Sequence, residues 1–149
     1  MYSIRLATLQ DVATIAHQRR QMFTEMGALE RAGIPERVIL AWLSTQMEQG
    51  AYLGWLAQTG STVVGGAGLL LYDWLPAPDL STRRGYICNV YVEPEHRRQG
   101  LARRLVQGGL EACQERGISI VSLHASEAGR PVYEGLGFQP SPEMQWRAR

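Results

Sequence analysis

Tyr86-Ile87-Cys88-Asn89-Val90-Tyr91-Val92 and, after Glu93-Pro94-Glu95-His96, Arg97-Arg98-Gln99-Gly100-Leu101-Ala102-Arg103-Arg104 form the stretch that decides the fold. The first part is an apolar run with strand composition, and Pro94 ends it. The second opens an amphipathic segment over residues 101–116, where Leu101, Leu105, Val106, Gly109, Leu110 and Cys113 fall near one helical face. A strand, a short basic turn with a glycine and a helix start make a site for a phosphate-type anion. The first N–H groups of a helix have no internal partner and point outward, and the helix dipole adds positive charge at that end. Gly100 and Ala102 leave the main chain open to close approach, and the four arginines at 97, 98, 103 and 104 supply full charge. Arginines in a first turn oppose the dipole, which is itself a reason to expect an anion there.

Working outward, residues 118–124 predict a buried strand and residues 127–136 a short helix, with Gly137 just past its end. Strand, helix, strand over 86–124 implies a parallel pair with a helical crossover. Toward the N-terminus, residues 3–7 predict a strand. Thr8 predicts the cap of a first helix, with Val12, Ile15, Ala16, Met22, Phe23 and Met26 as its apolar positions. A second helix follows Pro35, with Val38, Ile39, Trp42, Leu43 and Met47 facing inward. Residues 51–57 and 62–72 predict an antiparallel pair around Gly60-Ser61. Gly65, Gly66 and Gly68 in the second of these strands predict a bulge or the close approach of another group. Residues 73–84 predict a loop, and residues 138–149 a short strand, a Pro-Ser-Pro turn and a last strand through Trp146. The whole is one domain over residues 1–149, a mixed sheet flanked by helices, α+β in class.

Two blocks carry a family resemblance. Arg97-x-x-Gly100-x-Ala102 is similar to the Arg/Gln-x-x-Gly-x-Gly/Ala signature of the GNAT superfamily of N-acetyltransferases. The later stretch from His124-Ala125-Ser126 through Tyr133-Glu134-Gly135-Leu136-Gly137-Phe138 resembles the family's tyrosine-bearing last helix and its Leu-Gly-Phe end. The resemblance implies a central, mostly antiparallel mixed sheet whose parallel strand pair splays into a cleft. It implies acetyl-CoA as co-substrate and acetyl transfer to a primary amine of a small molecule, amino acid or peptide by direct attack.

Carried over residue by residue, the pantetheine arm lies along Val90, Tyr91 and Val92. The pyrophosphate sits on the turn of Arg97, Arg98, Gln99, Gly100, Leu101, Ala102 and Arg103. Tyr133, protonated at neutral pH, donates to the leaving sulfur. Ser126 caps the short helix and is placed to touch pantetheine. No carboxylate stands on the first half of the central strand, where relatives often carry the base. Asn89 through a water, or a carboxylate such as Asp73 or Glu25, is the alternative. Glu25, Tyr72, Asp73 and Trp74, with Trp55, Met26 and Phe23, are the candidate acceptor lining. A homodimer is compatible with the resemblance. The competing reading is a domain that holds acyl-CoA without chemistry, and it has no need of Tyr133.

Composition excludes other classes. Net charge is +1 over 149 residues, and the basic residues cluster in pairs, which suits a small anion rather than nucleic acid. The longest apolar run, residues 65–72, is too short to span a bilayer, and residues 1–5 do not form a signal sequence, so the sequence predicts a cytoplasmic protein without membrane contact. Cys88 and Cys113 have no metal-ligand spacing, which predicts no metal site and two packed thiols.

Overall fold

In the computed structural model, which describes residues 1–27 and 33–149, five strands form one sheet in the order β1-β2-β3-β4-β5. β1 (Ser3–Leu6), β2 (Tyr52–Thr59), β3 (Thr62–Asp73) and β4 (Arg83–Val92) pair antiparallel in sequence order. β5 (Val121–Ser122) pairs parallel with β4, after the crossover helix α3 (Leu101–Glu115). The helices α1 (Val12–Glu25) and α2 (Glu36–Glu48) cover one face of the sheet; α3 and the short α4 (Arg130–Gly135) cover the other.

Strand alternation builds two cores. Leu69, Leu71, Ile87 and Val92 face α3, whose Leu101, Leu105 and Val106 are fully enclosed. Gly109 lets the helix sit close: a Cβ there would lie 2.7 Å from Ile87 Cδ1. Tyr52 faces the other way and packs with Val12, Ile15 and Ala16 of α1 and Leu43 of α2. Only Leu43 of α2 is fully buried, whereas Val38 and Trp42 are exposed, so the apolar face of α2 is narrower than its spacing predicts.

The entry to α1 is fixed as the sequence predicts. Thr8 and Asp11 form a capping box on a single 3₁₀ turn, with the Thr8 N–H donating to Asp11 Oδ2 at 2.7 Å. Arg5 of β1 clasps the same carboxylate with Nη1 and Nη2 at 2.8 and 2.9 Å. Together they hold the Asp11 carboxyl at about 2.

Two expectations fail at the C-terminal end. The fifth strand is paired over two residues, against the seven expected at 118–124, and residues 138–149 contain no strand. Met144 and Trp146 are 93% and 85% exposed. A strand needs a ladder to pair with; so short a β5 offers none, and Pro140 and Pro142 lack the N–H a ladder requires.

Candidate active site

β4 carries the centre of the site because it is the strand that bends. Its register with β3 runs Cys88↔Gly68 and then Tyr91↔Gly66, so Asn89 and Val90 stand opposite the single residue Ala67. This is a β-bulge, and Asn89 pays for it with a left-handed backbone, φ 54°. The predicted irregularity is therefore real, but the extra residue lies on β4, across from the glycines. Those glycines serve close approach. A Cβ at Gly68 would collide with the Tyr52 ring, and one at Gly66 with the Gln18 side chain.

The bulge is held by a buried polar network. Asn89 Nδ2 donates to the Tyr52 hydroxyl at 3.0 Å, and Arg19 Nη1 donates to Asn89 Oδ1 at 2.6 Å. The Arg19 guanidinium lies 4.6 Å over the Phe23 ring. Burial raises the Tyr52 phenol well above its usual range, and burial pushes the neighbouring Cys88 thiol up to about 11. Arg19, Tyr52 and Gln18 are not among the candidates that the sequence motifs offer. The available signal was polar residues on a buried helical stripe: Gln18 and Arg19 follow Ile15 and Ala16 by one turn.

Beyond Gly85↔Val121 and Tyr86↔Ser122, β4 and β5 pair no further. The edge of β4 through Val90, Tyr91 and Val92 therefore has no strand partner on that side, and a cleft opens between the two strands. At its lower end the chain turns into α3. Arg98 and Gly100 both have left-handed backbones, φ 61° and 75°, which aims successive N–H groups to one side. Arg104 donates its N–H to the Gly100 carbonyl at 3.2 Å; those of Leu101, Ala102 and Arg103 have no main-chain acceptor among the described residues.

Arg98 and Gln99 are exposed, and Arg103 leans against Gly135 at the end of α4. Arg97 is differently engaged. Its Nε donates to the Val92 carbonyl at 2.8 Å, its Nη2 to Glu25 Oε1 at 2.6 Å, and it lies 5.6 Å over the Tyr91 ring. It braces the turn against β4 and α1.

Tyr133 lies on α4, in the core cluster that packs α3 against the sheet. Its ring is packed edge-on against Phe138 at 6.0 Å and is 9% exposed, yet its hydroxyl makes no hydrogen bond among the described residues. Burial raises its pKa, so the phenol keeps its proton at neutral pH. Ser126 accepts the Gly129 N–H at 3.1 Å, as a cap to the turn that leads into α4.

The predicted acceptor residues separate. Tyr72 and Trp74 meet edge to face at 6.1 Å, and Arg84 stacks 4.4 Å over Trp74. Asp73 pairs with Arg83 and, by alternation, shares the face of Leu69 and Leu71, away from Tyr72. Trp55 lies in the α3 core against Gly108 and does not line the acceptor side. Glu25 is bound to Arg97, Met26 is exposed at the end of α1, and Phe23 lies beneath Arg19. His96 bonds with the Tyr2 hydroxyl at 2.9 Å, and His124 with the Tyr86 hydroxyl at the mouth of the cleft. No cluster of metal-ligating side chains occurs among the described residues.

Residues 14–138 match the Acetyltransferase (GNAT) family, and the chain belongs to it. The particular relatives fit this class. Human N-acetyltransferase 8 is 33% identical over 88 residues, covering 57% of this chain and 37% of the relative. The rat N-acetyltransferase 8B match covers 44% of that relative, so the chain spans less than half the length of these two proteins. Among solved structures, a GCN5-related N-acetyltransferase from Ralstonia eutropha JMP134 is 32% identical, with TM-score 0.83 and 99% coverage of both chains. A predicted acetyltransferase from Clostridium acetobutylicum, solved with acetyl-CoA, is 25% identical, with TM-score 0.88 and coverage of 99% of this chain and 96% of its own.

Proposed function

We propose that this protein transfers an acetyl group from acetyl-CoA to a primary amine by direct attack. The observation that carries this reading is the junction of β4 and α3. Free N–H groups at residues 101–103, after left-handed Arg98 and Gly100, adjoin an unpaired strand edge at Val90–Val92. The junction offers diphosphate donors and an extended amide ladder in one line, which is the donor set a coenzyme A tether requires.

When bound, acetyl-CoA supplies the acetyl group as an activated thioester. Arg98, Gln99, Gly100, Leu101, Ala102 and Arg103 hold the diphosphate, with Arg97 as a brace. Main-chain groups of Val90, Tyr91 and Val92 hold the pantetheine arm and offer an N–H to the thioester oxygen, the donor that stabilises the tetrahedral oxyanion. Tyr133 donates its hydroxyl proton to the departing thiolate, and the raised phenol pKa keeps that proton in place until then. Ser126 fixes the turn that presents Tyr133. Holding amine and thioester in line supplies much of the acceleration, since proximity alone is worth about 7–11 kcal/mol.

Cys88 is no nucleophile in this scheme, because its thiol is pushed up to about 11. Glu25 is tied to Arg97, and Glu93 accepts from the Tyr91 hydroxyl, so neither is free to take the amine's proton. The amine sheds it to solvent, directly or through a water on Asn89. The test is calorimetric titration with coenzyme A beside thiol release from acetyl-CoA on an amine panel. Arg98→Glu weakens coenzyme A binding about tenfold or more, because it sets a negative charge among phosphates; unchanged affinity defeats the assignment of the turn.

A further inference from the structure

On the acetyl-transfer reading, the acceptor side of the cleft is the face of β4 that carries Arg84, Tyr86 and Cys88 and, at the bulge, Asn89. Two cations face it, and one acid, Glu143, lies near Tyr86. Arg19 reaches it from α1, half-buried and fixed between the Asn89 amide and the Phe23 ring. A guanidinium has five N–H donors in a planar fork. Only Nη1 of Arg19 is used, and no acid pairs with this residue among the described residues. Arg84 stands on the same face, stacked on Trp74, with a buried Nε that has no hydrogen-bond partner, and it makes no ion pair among the described residues. Asp73 is on the other face of the sheet, and Glu25 is taken by Arg97.

An arginine whose rotamer is locked by an amide and a ring, while its remaining donors stay free, is preorganised for a planar anion. Keeping the bulge in place needs only one neutral donor to Asn89 Oδ1. A full, unpaired cation beside the strand that would hold the thioester acts on the acceptor. It attracts an acid group and repels polyamines. Arg19 bonds Asn89, the residue next to Val90, so an anion on its free edge would lie near the strand proposed to hold the thioester.

We propose that the acceptor is a small amine bearing a carboxylate close to its nitrogen, an amino acid, and that Arg19 binds that carboxylate through its free guanidinium edge. This rests on the acetyl-transfer reading. Arg84 adds to the positive field on that face, and Tyr72 and Trp74 give the acceptor's side chain an aromatic wall.

The experiment is thiol release from acetyl-CoA with amino acids of aliphatic, aromatic and acidic side chain. Each is compared with its amide and its decarboxylated amine, at matched concentrations of unprotonated amine. Spermidine and a neutral peptide amino terminus complete the panel. At least one amino acid has kcat/KM about tenfold or more above its amide and amine, carried in KM. Arg19→Gln removes that advantage, and Arg19→Lys restores part of it. The ratio between acceptors is taken within one protein, so a lower folded fraction cancels. Equal or better turnover of the amides, the amines, spermidine or the peptide overturns the proposal and leaves acetyl transfer standing. So does a carboxylate preference that survives Arg19→Gln. Acetyl-CoA binding without thiol release on any acceptor overturns both.

Discussion

Tyr133 shows what a single side chain contributes here. Its ring is enclosed while its hydroxyl is left without a protein partner. On the proposed mechanism that hydroxyl is the proton donor to the departing thiolate. Tyr133→Phe therefore lowers kcat by about 10²-fold or more while Kd for acetyl-CoA stays within about twofold, checked by single-turnover rates and calorimetry. An unaltered rate removes Tyr133 from the chemistry. As a candidate it is legible in the sequence, because it stands in a contiguous block with Leu136-Gly137-Phe138. Arg19 is not, because its partners Asn89 and Phe23 come from a bulge and a helix turn that only the folded chain brings together. Asp73 and Trp55 illustrate the opposite error. Proximity in sequence to Tyr72 or to the acceptor strands says nothing of face, and one residue of register moves a side chain to the other side of the sheet.

At the level of elements, α3 carries most of the fold's legibility. Its apolar stripe at Leu101, Leu105, Val106, Gly109 and Cys113 reads at helical spacing, and all five are buried. Leu105 is 0% exposed within the cluster that joins α3 to the sheet. Leu105→Ala costs about 2–5 kcal/mol by lost burial and the cavity left behind. Denaturant unfolding reads this as a lower midpoint at unchanged slope. A loss below about 1 kcal/mol would mean that the helix does not seat on the sheet as described. The C-terminal end departs from its strand-like composition for a physical reason. Composition marks residues that tolerate an extended backbone, but a strand exists only where a neighbour supplies a ladder, and that neighbour is remote in sequence. The bulge was half legible: three glycines in β3 announced an irregularity but not which strand carried the extra residue.

For the molecule as a whole, the sheet and its two cores set stability, and one ion pair contributes to how it responds to acid. Arg5 on the first strand and Asp11 at the entry to the first helix join the edge of the sheet to the layer above it. The Asp11 carboxyl titrates at about 2 in the folded chain and near the ordinary value of about 3.9 when unfolded. The folded state thus binds fewer protons across that interval. The contribution of Asp11 is present above about pH 4 and is lost as pH falls toward about 2. Unfolding curves compared for the wild type and Asp11→Asn converge over that window. A gap of constant size down to pH 2 would show that the carboxylate is not held by Arg5.

Arg97 has a consequence that extends past its own neighbourhood. One guanidinium is lashed at once to the final carbonyl of β4 and to the last residue of α1. The corner that would grip the coenzyme's phosphates and the helix that carries Arg19 are thereby tethered to a common post. If filling one compartment shifts that post, thermodynamic reciprocity requires that each ligand alter the other's grip by the same factor. The two substrates would then communicate without touching.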